Sequence, residues 1–113
     1  LICKYIHNNI QLLSMKDEFK SMFNILQKYS DPYFCIYEAA FYGHLNIVQL
    51  MIEKGANDWN GVMRSAVFGG HMNIVKLMID KGATDLNTAI YWAKYNGHTD
   101  ILELLEQHKS LKN

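Results

Sequence analysis

Apolar positions along the second half of the chain fall into two alternating patterns. The stretches carrying Ile36, Ala39 and Ala40, then Met63, Ala66 and Val67, place apolar residues at i, i+3 and i+4, the spacing of one helix face. Between them lie denser segments, Ile47, Val48, Leu50, Met51 and Ile52, then Ile74, Val75, Leu77, Met78 and Ile79. Those segments are too apolar for a helix with one exposed side, and predict helices covered on two sides, as in stacked repeats.

The polar punctuation repeats with the same step. Gly-His stands at Gly43-His44, Gly70-His71 and Gly97-His98, Lys-Gly-Ala at 54–56 and 81–83, and aspartate at Asp31, Asp58 and Asp85; each step is 27 residues. The aspartates sit where an N-cap accepts backbone N–H groups, and Pro32 follows Asp31 at a first-turn position where a missing donor costs nothing. The glycines of Gly-His follow where a left-handed residue ends a helix. The expected unit is therefore helix, tight turn, helix, with Gly55 and Gly82 closing the second helix. The expected divisions are residues 1–29, a degenerate N-terminal helical region, then repeats at 30–56 and 57–83, and a third repeat with a C-terminal cap at 84–113. Within the first, Phe19, Met22, Phe23, Leu26 and Tyr29 lie at helical spacing, with Ser14 and Asp17 as a possible capping box.

The stretches Glu38-Ala39-Ala40-Phe41-Tyr42-Gly43-His44-Leu45-Asn46-Ile47-Val48 and Gly70-His71-Met72-Asn73-Ile74-Val75-Lys76-Leu77 resemble the core of the ankyrin repeat. The resemblance covers roughly residues 30 to 108. It implies an all-α helix-turn-helix solenoid that recognises another protein. A standard ankyrin repeat has about 33 residues, so about six are missing here, where the family builds a β-hairpin finger. The family's Thr-Pro-Leu-His opening is replaced by Phe34-Cys35-Ile36-Tyr37, Gly61-Val62-Met63-Arg64 and Thr88-Ala89-Ile90-Tyr91. Short loops with little or no strand are expected. The short repeat and the Asn/Ile/Tyr-rich texture also resemble the ankyrin proteins of giant DNA viruses. For such a chain the resemblance implies the host cytoplasm, or a virion.

In the third copy Lys94 replaces Ala40 and Val67, Thr99 replaces Leu45 and Met72, Glu106 replaces Ile52 and Ile79, and Lys109 replaces the closing glycine. These are the substitutions of a polar capping repeat. At the other end Leu1, Ile2, Ile6, Ile10, Leu12 and Leu13 are too apolar for an outer cap, so further repeats upstream of Leu1 are expected.

Composition narrows the function. Of 113 residues, 50% are apolar and one is proline, which argues against disorder. Eleven basic residues balance eleven acidic ones, so no net field favours nucleic acid or a membrane surface, and no apolar run is long enough to span a bilayer. Cys3 and Cys35 lack zinc spacing and read as two reduced, buried thiols.

No constellation in the sequence carries chemistry. His44, His71 and His98 lie one repeat apart, roughly 10 Å by helix-packing distances, whereas a shared zinc needs nitrogens at about 2 Å. They read as turn histidines bonding nearby backbone. The aspartates have no recurring nucleophile or base beside them. The expectation is no enzyme, no catalytic residue, no metal and no cofactor.

What the core does not explain lies on the first helices. Glu38 and Phe41, Ser65 and Phe68, and Trp92 and Tyr95 are i, i+3 pairs, and stacking aligns them into a column. The residues before Gly-His, among them Tyr42, look onto the concave binding surface in the family that the chain resembles. Glu38, Phe41, Tyr42, Ser65, Phe68, Trp92 and Tyr95 are therefore the candidate partner-binding residues, because aromatics carry much of the energy at interfaces. The competing reading is that these rings fill the groove left by the missing fingers, with Tyr37, Arg64 and Tyr91 at the rim. Two other functions stay open: assembly through the N-terminal edge, and a targeting tail of a longer enzyme.

Overall fold

A computed structural model describes residues 35–112. They form six helices: α1 (Cys35–Tyr42), α2 (Leu45–Glu53), α3 (Trp59–Gly69), α4 (Met72–Lys81), α5 (Leu86–Tyr95) and α6 (Thr99–Lys112). Among the described residues there is no strand. The connections at 54–58 and 82–85 are too short for a hairpin finger, as the 27-residue period predicts. Asp31 and residues 1–29 lie outside the described residues.

The helices stack in two rows. α3 packs between α1 and α5, each of the three contacts its own second helix, and α4 touches α6. Ala39, Ala40, Ala66 and Ala93 are buried where first helices meet their neighbours, so small side chains let the backbones approach. Ile47, Val48 and Met51 of α2 and Ile74, Val75 and Met78 of α4 are fully buried, which accounts for the apolar density of those segments. Among the described residues no polar or charged side chain is buried.

Each first helix ends in the same double hydrogen bond. The His44, His71 and His98 amides donate to the Ala39, Ala66 and Ala93 carbonyls at 2.8, 2.9 and 2.9 Å. The amides of Gly43, Gly70 and Gly97 donate to Ala40, Val67 and Lys94 at 3.3, 3.2 and 3.2 Å. This pairing needs a left-handed residue, and the three glycines have φ of 80, 80 and 73°. Lys-Gly-Ala is the same device closing α2 and α4: Ala56 donates to Met51 at 3.0 Å and Ala83 to Met78 at 2.9 Å, with both alanines buried.

Where α2 and α4 stop at glycine, α6 runs on through Lys109. Lys94, Thr99 and Glu106 are exposed, whereas Ala40 and Val67 are buried and Leu45, Met72, Ile52 and Ile79 are half-buried. The polar substitutions thus lie on solvent in the third helix pair.

Two expectations need correction. Asp58 caps α3, its Oδ1 accepting the Gly61 amide at 3.1 Å, but Asp85 makes no side-chain cap bond to α5. The loop before α5 is held from outside: Asn60 Oδ1 accepts the amides of Thr84 at 2.8 Å and Asp85 at 3.0 Å. Cys35 is buried as expected but is disulfide-bonded, not a reduced thiol. Separation along the chain carries no information about the Cα distance that decides whether two cysteines can pair.

The turn glycines also answer to the next repeat. A Cβ on Gly70 would come within 2.7 Å of the His98 ring and one on Gly43 within 2.6 Å of the His71 ring, whereas one on Gly97 would meet nothing within 4 Å. Gly97→Ala should therefore cost only left-handed strain, about 1–2 kcal/mol. Gly70→Ala should cost more, and the excess should vanish in a His98→Ala background. Denaturant unfolding of the four variants measures this, and equal losses at Gly70 and Gly97 would refute the histidine contact.

Candidate functional site

Two faces of the first helices are candidates, the turn histidines at one end and the outward side chains along their length. The histidines are structural. His71 packs on Gly43 and Gly69, and His98 on Gly70. His98 Nε2 lies 3.2 Å from the Phe68 carbonyl oxygen, which can only accept, so this nitrogen donates. The expected bond to nearby backbone is in fact a bond to the preceding repeat, 30 residues back. A group of three or more His, Cys, Asp or Glu side chains able to hold a metal does not occur among the described residues.

Burial holds the His44 pKa below its ordinary 6.5, and the positive charge of His71 adds to the effect. Desolvation disfavours the protonated imidazole.

The residues singled out from spacing differ in exposure, and Trp92 packs against the core. Phe41 is 44% exposed, Tyr42 59% and Tyr95 74%, while Glu38, Ser65, Phe68 and Trp92 are half-buried. Their rings do not form one continuous column. Phe41 meets Tyr42 edge-on at 5.1 Å. Phe68 crosses from α3 to Trp92 on α5 at 4.7 Å, and Trp92 meets Tyr95 edge-on at 5.8 Å. Trp92 occupies on α5 the position that Ser65 holds on α3, so the ring pair between α3 and α5 has no aromatic counterpart at that position between α1 and α3.

The candidate binding residues left out one member of this cluster, which the competing reading set at the rim. Tyr91, 59% exposed, meets Trp92 edge-on at 5.0 Å and lies nearly parallel to Tyr95, centroids 6.4 Å apart. Its i, i+4 relation to Tyr95 was the available signal. Tyr37, at the equivalent place on α1, has another job: its hydroxyl donates to Asp58 Oδ2 at 2.6 Å and ties α1 to the start of α3. Asn60 makes the next tie, its amide also reaching Thr84 Oγ1 at 3.4 Å.

The stacked helix pairs, their Gly-His turns and their Gly-Ala ends define a helical repeat scaffold. A family model described as Ankyrin repeats (3 copies) matches residues 36–113, and the chain belongs to that family. Ankyrin repeats are generally protein–protein interaction modules and non-enzymatic scaffolds. No curated protein and no solved structure matches the chain.

The lowered His44 pKa sets a sign for pH. The unfolded chain binds the proton more readily, so stability is complete above pH 6.5 and declines as pH falls through 6.5 toward the folded value. The unfolding midpoint should drop between about pH 7.5 and 5.5, and His44→Gln should flatten that slope. An unchanged slope in the variant would count against this assignment.

Proposed function

We propose that the chain captures a partner protein through the outward face of α1, α3 and α5, using Glu38, Phe41, Tyr42, Ser65, Phe68, Trp92 and Tyr95, to which Tyr91 is added. The observation that carries this reading is the exposure of Phe41, Tyr42, Tyr91 and Tyr95 on one side of the scaffold, opposite its core. Large apolar side chains held in water, here as one pair on α1 and another on α5, are a feature of interaction sites, and aromatic rings dominate interface energetics. The short connections at 54–58 and 82–85 support the same reading, since they offer no hairpin tips for contact.

Exposure also decides which substitutions are clean tests. Phe68 and Trp92 support each other, so truncating either disturbs the scaffold, whereas Phe41 and Tyr95 project into solvent. Phe41→Ser/Tyr95→Ser should keep the thermal midpoint within about 3 °C of the parent. The same variant should lose partner bands in affinity capture after crosslinking. Capture at parental levels by a folded double variant would refute the reading.

A further inference from the structure

Asn-Gly stands twice in the chain, at Asn60-Gly61 and Asn96-Gly97. Glycine puts no Cβ beside its own nitrogen, so at such a pair that nitrogen can reach the side-chain carbonyl carbon of the asparagine before it. What decides the matter is how firmly the two groups are held, and the structure holds the two pairs differently.

Asn60 is clasped. Its Oδ1 accepts the amides of Thr84 at 2.8 Å and Asp85 at 3.0 Å, and its Nδ2 reaches Thr84 Oγ1 at 3.4 Å. The Gly61 amide donates to Asp58 Oδ1 at 3.1 Å. Both residues lie inside α3, and Gly61 is buried, with Asp58 Oδ2 and the Tyr37 ring crowding its Cα.

Asn96 and Gly97 lie past the end of α5, both exposed, and a Cβ on Gly97 would meet nothing within 4 Å. The equivalent glycines, Gly43 and Gly70, are covered by the rings of His71 and His98. Asn96 Nδ2 donates to the Trp92 carbonyl at 2.8 Å and the Gly97 amide to that of Lys94 at 3.2 Å, so both bonds stay within one helix end. Opening them frays one exposed turn, the kind of opening that costs least. Opening Asn60 and Gly61 would break a tie between repeats and disturb a buried helix start.

We propose that Asn96 is a site of spontaneous deamidation. The Gly97 nitrogen gives up its proton and bonds to Cγ of Asn96, while Nδ2 gains a proton and leaves as ammonia. Water then opens the cyclic imide at either carbonyl, giving aspartate or an isoaspartyl residue whose chain runs through the β-carboxyl. No oxidant or reductant is consumed. Either product sets a carboxylate at the C-terminal end of α5, where the helix dipole disfavours negative charge. Asn96 also repeats the position of Tyr42 and follows Tyr95, so the same event adds charge to the face proposed for partner capture. That consequence rests on the preceding reading of the face; the chemistry does not.

The test is incubation of the full chain at mildly alkaline pH, folded and in urea, followed by peptide mapping with mass spectrometry. In urea both asparagines should be converted at similar rates. In the folded chain Asn96 should be converted about tenfold or more faster than Asn60, whose hydrogen bonds must open first. Asp58→Ala, which frees the Gly61 amide, should speed Asn60 and leave Asn96 unchanged. Equal rates in the folded chain, faster conversion of Asn60, or an intact Asn96 while the urea sample is converted would each overturn the inference. Asn96→Asp, which carries the same charge, should weaken partner capture; capture at parental levels would leave the site of modification standing and refute its effect on the face.

Discussion

Each turn histidine after the first rests on the glycine of the turn before it, and the register of the stack depends on that contact. His71 lies on Gly43 and His98 on Gly70, too close for a side chain at either glycine, and His98 adds a hydrogen bond to the Phe68 carbonyl. The glycine thus serves two constraints, a left-handed backbone and a vacant Cα face, which explains why Gly and His recur as a pair. With the turns locked at this distance the first helices lie close, and their meeting surfaces are occupied by Ala39, Ala66 and Ala93. Gly69 carries the approach furthest, since a Cβ there would overlap the Phe41 carbonyl.

A repeat shortened by a hairpin must tie its loops in some other way. Side chains from one first helix reach the start of the next: Tyr37 to Asp58, then Asn60 to Thr84 and Asp85. The two clasps use different residues for the same task. Their effect is to bind the connections to the scaffold, while the outward rings of α5 and the end of α1 keep their exposure.

Much of this was legible in the chain itself because it is local. Gly-His, Lys-Gly-Ala and the Asp58 cap each act within a few residues, so their period alone placed the helices and the turns. What escaped depends on neighbours one repeat away. Asp85 looked like Asp58 in sequence, yet Asn60 takes its amide; His98 looked like a turn residue bonding nearby, yet its partner is Phe68. The aromatic pattern was readable as positions but not as continuity, since the break at Ser65 and the joining of Tyr91 follow from ring geometry across α3 and α5.

Losing the hairpins while keeping the helix stack moves the available contact area from loop tips to helix faces, and the central claim is that recognition moves with it. Chemical-shift mapping on the isotopically labelled chain, titrated with a peptide selected for binding to it, tests this directly. The account predicts perturbations centred on Phe41, Phe68, Tyr91, Trp92 and Tyr95. Perturbations centred instead on 54–58 and 82–85, or on the outer sides of α2, α4 and α6, would contradict it.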